Sequence, residues 1–209
     1  MSAGCQDKKL RIVFFGDSIT ELGVRPDGYI SHLEQLIRNA KISDRFELIG
    51  AGVSGNKIYD LYLRVDGDVI AKKPDVVVIF VGVNDIWHKG LLGTGTDFDK
   101  FGKFYTALTD KLTAAGIKVI LCTPAVIGER TDFSNQYDGD LNLYSNWIRE
   151  FAAKQQFPLV DLRKAFLDHN ANANKVNAAS GLLTTDKVHL NKKGNELVAT
   201  EMWKVISKL

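Results

Sequence analysis

The 209-residue chain carries 27 Lys and Arg against 25 Asp and Glu, a formal net charge of +2, with 45% hydrophobic and 25% charged residues. Those values exclude a disordered or fibrous chain. With no basic run longer than two residues, they also leave no electrostatic footprint for nucleic acid or an anionic membrane surface. The longest apolar run, residues 76–83, is far short of the roughly 20 residues a membrane helix needs. Two cysteines exclude a disulfide framework and a cysteine-built zinc site.

From the N-terminus, Ser2-Ala3-Gly4-Cys5 reads in two ways. It resembles the end of a bacterial lipoprotein signal, with an exported, signal-trimmed chain starting at a lipidated Cys5, although Ser2 stands where that pattern usually has Leu. It also reads as a disordered polar head over residues 1–8. The rest, 9–209, is expected to be a single domain, because no linker, repeat or low-complexity stretch interrupts it. A strand is predicted over 10–15, followed by a helix whose stripe is Tyr29, Ile30, Leu33, Leu36, Ile37 and Ala40. A second strand, 46–49, precedes a helix on Ile58, Leu61, Tyr62, Val65 and Val69. A third, 76–81, precedes a helix on Phe101, Phe104, Tyr105, Leu108 and Leu112 that stops at Gly116. A fourth, 118–122, ends in Cys122, read as a buried thiol acting as a small hydrophobe. A helix on Leu141, Tyr144, Trp147, Ile148 and Phe151 leads to a fifth strand at 158–162. The last helix carries Leu197, Val198, Met202, Val205 and Ile206, with Asn191 as its N-cap.

Strand alternating with helix at this spacing predicts an α/β chain with a five-stranded, doubly wound parallel sheet and right-handed crossovers. The almost unbroken apolar runs at 10–15, 76–81 and 118–122 fit strands covered by helices on both faces. Chemistry in such sheets sits just past the strand C-termini. Gly16-Asp17-Ser18-Ile19 follows the first strand, where Ser18 is either a nucleophile at the sheet edge or a turn former or helix cap. It is not in a Gly-x-Ser-x-Gly elbow, which argues against an α/β-hydrolase. Gly50-Ala51-Gly52-Val53-Ser54-Gly55 follows the second strand. It satisfies Gly-x-Gly-x-x-Gly, but Asp75 precedes the next strand instead of ending it, so a dinucleotide site is disfavoured. The other use of such glycines is to expose a backbone N–H to a reacting oxygen. Asn84, in Gly82-Val83-Asn84-Asp85 after the third strand, either aims its amide into the same mouth or forms an Asx turn. Near the C-terminus, Asp186-Lys187-Val188-His189 spaces a carboxylate to reach the second nitrogen of an imidazole and fix its tautomer.

Taken together, these four segments resemble the conserved blocks of the SGNH, or GDSL-type, serine hydrolases. The resemblance runs from about Lys9 to the end of the chain, with block order and spacing kept. It implies a three-layer α/β/α sandwich of the flavodoxin-like SGNH-hydrolase fold. It further implies Ser18 as nucleophile, His189 as general base and Asp186 as its orienter. The backbone N–H groups of Ser18 and Gly52 and the side chain of Asn84 would form the oxyanion hole, with no metal and no cofactor. Gly50 departs from the pattern, since many relatives carry Asn there. That touches hydrogen bonding near Gly52, not the catalytic groups. Of the four histidines, His32 reads as structural or solvated and His169 as surface. His88 is the competitor, because Asp85-Ile86-Trp87-His88 repeats the Asp-x-x-His spacing after a strand. The resemblance favours His189 and leaves His88 as a pocket residue.

Three loops, 86–97, 124–139 and 167–185, are expected to build the pocket rim, with Trp87, His88, Leu91, Phe133 and Tyr137 as candidate walls. No inserted lid or long amphipathic stretch is present, so a short acyl group, acetyl above all, on a carbohydrate or other polar alcohol is favoured within the resembled family. Lysophospholipase or thioesterase activity is the alternative. A non-catalytic flavodoxin-like module binding phosphate or a nucleotide is the rival from another class. It would use Gly50, Gly52 and Gly55 but leave Ser18, Asn84, Asp186 and His189 without a joint purpose. The expected partner is a small-molecule ester, with no nucleic acid and no membrane span.

Overall fold

Five parallel strands form one sheet in the order β2-β1-β3-β4-β5: β1 (Leu10–Gly16), β2 (Phe46–Gly52), β3 (Val76–Phe80), β4 (Lys118–Cys122) and β5 (Leu159–Val160). The structure is a computed structural model that describes residues 8–209. Cys5 and the readings attached to residues 1–7 lie outside the described residues. The side chains of Ile12, Val13, Phe14 and Phe15 in β1 and Val76 to Ile79 in β3 are fully buried, as strands sandwiched between two helical layers require. The helices are α1 (Ser18–Gly23), α2 (Tyr29–Asn39), α3 (Ile58–Asp68), α4 (Val83–Leu92), α5 (Phe98–Ala114), α6 (Asp138–Gln155), α7 (Leu162–Ala173) and α8 (Lys192–Ile206). With α2 packed on α8 and α3 packed on α5, they cover the sheet as an α/β/α sandwich.

The chain winds from β1 outward to β2, then returns to β3 on the other side of β1. The order therefore reverses at β1, and the crevice this opens lies past the carboxyl ends of β1, β2 and β3. Both β1 and β2 run further than the sequence pattern suggests, because Gly16 pairs with Gly52 in register. β5 is shorter than predicted, since Asp161 caps α7 by accepting from Lys164 N–H. Asn191 caps α8 as predicted, accepting from Gly194 N–H at 3.0 Å. At the end of α5, Gly116 N–H donates to the Thr113 carbonyl and Ile117 N–H to that of Leu112. Gly116, at φ +76°, is thus the left-handed residue of a Schellman motif. Cys122 is buried, and that burial pushes its thiol pKa far up.

Two rim segments expected to be loops are helical. Residues 83–92 form α4, and α7 continues to Ala173. Asn84, Asp85 and His88 are weak helix formers, and the buried residues of α4 are the consecutive Val83, Asn84, Asp85 and Ile86. A first turn sunk on all sides into the sheet edge shows no 3.6-residue stripe. Among the described residues, no helix is long and apolar enough to cross a membrane.

Candidate active site

Ser18 opens α1 directly behind the last residues of β1. Asp17 caps the helix, its carboxylate accepting from Ile19 N–H at 3.0 Å while its carbonyl accepts from Glu21 N–H at 2.9 Å. The Ser18 N–H, at the helix start, has no intrahelical acceptor. Gly16 is required by close approach: a Cβ there would stand 2.3 Å from the Phe80 carbonyl oxygen and 2.4 Å from Thr20 Oγ1.

Across the crevice, His189 Nε2 lies 3.0 Å from Ser18 Oγ, and His189 Nδ1 lies 2.7 Å from Asp186 Oδ2. The other Asp186 oxygen accepts from His189 N–H at 2.8 Å and Val188 N–H at 3.1 Å. Burial works against the Asp186 charge, but the bonds from the His189 ring and from the two N–H groups outweigh it and hold the carboxyl below its ordinary pKa. An ionised Asp186 accepts a hydrogen bond from Nδ1–H and so keeps the proton on that nitrogen, which leaves Nε2 as the acceptor facing the Ser18 hydroxyl. The turn that folds this Asp-x-x-His segment back on itself puts Lys187 at φ +82°, a conformation that non-glycine residues adopt only under local constraint.

On the opposite wall, Gly52 faces the first turn of α1. A Cβ at that position would stand 2.0 Å from Glu21 N and 2.7 Å from the Asp17 carbonyl oxygen. Ser54 fastens the two segments, its N–H and its hydroxyl each donating to Glu21 Oε2 at 2.6 Å. Asn84 Nδ2 donates to the Asn56 carbonyl at 3.1 Å. Asp85 accepts from Ile58 N–H through both oxygens, at 3.1 and 3.3 Å. The first turn of α4 thereby clamps the 56–58 segment. At Gly50, a Cβ would lie 2.4 Å from Val24 Cγ1, so Val24 occupies the space an Asn would need.

Sequence reasoning missed Glu129. Its carboxylate is fully buried and accepts from three consecutive backbone N–H groups, Leu182 at 2.8 Å, Leu183 at 2.6 Å and Thr184 at 2.7 Å. It thus pins the segment that delivers Asp186 and His189. A groove of about 380 Å³ adjoins Asp186 and is lined by Trp87, Arg130, Asn135, Tyr137 and Lys187 among others. A larger hollow, about 810 Å³, lies at the opposite strand ends beside Leu10 and Phe46, away from these groups. Of the candidate walls, Trp87 and Tyr137 line the groove, whereas Phe133 stands 95% exposed at φ +64° and Leu91 is 56% exposed. His88 does not join Asp85, whose carboxylate is committed to Ile58; the His88 Nδ1 is buried without a hydrogen-bond partner.

The two buried carboxylates beneath the site make stability depend on pH. Burial raises Asp17 to about 7, with the Asp85 charge adding to it and the Ile19 N–H opposing it. Burial likewise raises Asp85 to about 6 against the Thr96 side chain, the Ile58 N–H and the Lys57 charge. An acid whose folded pKa exceeds its unfolded one binds more protons in the native state. Its stabilising contribution is therefore present below the unfolded value of ~3.9 and is lost as pH rises through the folded value. Asp17→Asn retains a good N-cap acceptor and removes one titration. The Tm of this variant minus that of wild type should increase from pH 4 to pH 7 in thermal melts. A constant difference would show that Asp17 is not the titrating group.

The profile of the GDSL-like Lipase/Acylhydrolase family matches residues 14–197. The crystal structure of an acetyl xylan esterase, AlAXEase, superposes with a TM-score of 0.92 at 56% identity, covering 94% of this chain and 99% of that one. The acetylxylan esterase of Geobacillus stearothermophilus is 28% identical over 205 residues, 90% of each chain. An uncharacterized lipoprotein of Bacillus subtilis (strain 168) is 24% identical over 222 residues, covering 95% of this chain and 90% of the other.

Proposed function

The chain belongs to the GDSL-like lipase/acylhydrolase family, and on that footing we propose that it removes acetyl groups from carbohydrate alcohols through an acyl-enzyme on Ser18. It is a carboxylic ester hydrolase. The observation that carries the residue assignment is the relay from Ser18 Oγ through His189 to Asp186, at 3.0 and 2.7 Å. His189 takes the Ser18 proton as the oxygen attacks the ester carbonyl. Negative charge then develops on the carbonyl oxygen, where the N–H groups of Ser18 and Gly52 and the amide of Asn84 receive it. The imidazolium gives its proton to the leaving alcohol, and water activated by the same ring releases the acid. Because the alcohol departs toward His189, the groove beside Asp186 is the place for the sugar. Trp87 and Tyr137 supply apolar faces there, and Arg130, Asn135 and Lys187 supply polar edges.

The acetyl and carbohydrate assignment draws its support from the acetylxylan esterases among the relatives. Acetyl and butyryl esters should be hydrolysed faster than esters of eight carbons or more, and acetylated xylo-oligosaccharides should be deacetylated. A rate that climbs with acyl length would move the assignment to a lysophospholipase or thioesterase. Single-domain organisation over 9–209 and export with lipidation at Cys5 belong to the same proposal. The lipoprotein relative supports the export reading. Radiolabelled palmitate on the wild-type chain and none on Cys5→Ala is the expected result in a bacterial host.

A further inference from the structure

Arg64 lies midway along α3, its side chain 17% exposed and its guanidinium 4.4 Å above the centre of the Phe15 ring. Nη2 donates to two backbone carbonyls, Gly16 at 2.8 Å and Ala51 at 3.0 Å. Nε donates to Asn56 Oδ1 at 2.6 Å, and Nη1 pairs with Asp68 at 2.7 Å. Three of these four acceptors sit directly behind the groups that face the reacting carbonyl. Gly16 ends β1 two residues before Ser18. The Ala51 carbonyl belongs to the same peptide unit as the Gly52 N–H. Asn56 offers its own backbone oxygen to the Asn84 amide at 3.1 Å.

The C=O and N–H of a trans peptide are coplanar, conjugated and oppositely directed. A charge-assisted bond to the carbonyl draws electron density toward the oxygen and leaves the N–H a stronger donor on the other side. We propose that Arg64 is the positioning residue of the oxyanion hole. It fixes and polarises the Ala51–Gly52 peptide so that the Gly52 N–H meets the developing charge, and through Asn56 it keeps the Asn84 amide in register. Arginine suits the task because its planar fork reaches two carbonyls and an amide oxygen from one rigid group, which a lysine ammonium cannot do. This inference rests on the reading of Gly52 and Asn84 as oxyanion donors.

Four variants test it on one acetyl ester, at a temperature where circular dichroism shows each folded. Arg64→Met keeps an apolar stem over Phe15 and loses every donor. Its kcat should fall roughly ten- to a hundredfold, less than the 10²–10³-fold of losing a donor outright. KM should stay within about twofold, since the donors act in the transition state. Arg64→Lys should recover part of the kcat, and Asp68→Asn, which removes only the helix-surface pair, should match wild type. A folded Arg64→Met with wild-type kcat, or with a raised KM alone, overturns the proposal. If Arg64→Met does not fold, Arg64→Lys decides: full kcat in that variant overturns the proposal, and reduced kcat at unchanged KM upholds it. Asn84→Ala separates the two layers of the argument. Wild-type kcat in that variant overturns the oxyanion reading and this inference with it, whereas a slow Asn84→Ala beside a fast Arg64→Met overturns this inference alone.

Discussion

Ser18→Ala should lower kcat on a simple acetyl ester by on the order of 10⁶-fold, the scale of removing the nucleophile from a Ser-His-Asp triad. The fold should persist. The Ser18 hydroxyl bonds only to His189 Nε2 among the described residues, and the cap that starts α1 belongs to Asp17. Alanine is also a good residue at a first helical position. Thermal melts of the variant should therefore overlay those of wild type, while a fluorophosphonate probe that labels wild type should leave the variant unlabelled. The residual rate should come from the oxyanion donors and from binding, which survive the substitution. More than a tenth of wild-type kcat in the alanine variant would remove Ser18 from the chemistry. A non-catalytic phosphate- or nucleotide-binding module would react with the probe in neither form.

Ser18, Gly52 and Asn84 stood out in the sequence as candidates because each lies at or just past the end of a strand that is legible itself. Fully buried parallel strands such as β1 and β3 are continuous apolar runs. A glycine closing such a run, followed by Ser18, Gly52 or Asn84, marks the edge where backbone turns and ligands meet. The supports behind those groups were not legible. Glu129 and Arg64 act on backbone N–H and C=O groups of distant segments. A backbone partner leaves no residue-type signature, so only the folded chain reveals that a loop glutamate anchors residues 182–184. The α4 helix escaped for a related reason. Its first turn is buried on every side, and the periodicity that betrays a half-exposed helix is absent. Phe133 shows the opposite limit: an aromatic residue in a rim loop reads as a pocket wall, yet it projects into solvent.

The two Asp-x-x-His segments share a spacing and differ in what their carboxylates bond. Asp186 turns one oxygen to the His189 ring and the other to the backbone N–H groups of its own turn. Asp85 spends both oxygens on Ile58 N–H at the start of α3. Burial, with the Lys57 charge, lowers the His88 pKa, which suits a ring held neutral in a protein wall and not one that must stabilise an imidazolium. His189→Ala should accordingly reduce kcat by roughly 10³-fold or more, because no other base lies within hydrogen-bond reach of Ser18 Oγ among the described residues. Asp186→Ala should cost less, since His189 remains beside Ser18 and water can satisfy Nδ1. His88→Ala should keep most of the kcat. The measurement is kcat for the three alanine variants on one acetyl ester at fixed pH. An inactive His88→Ala beside an active His189→Ala would move the general base to α4, and the relay through Asp186 would then be a structural contact.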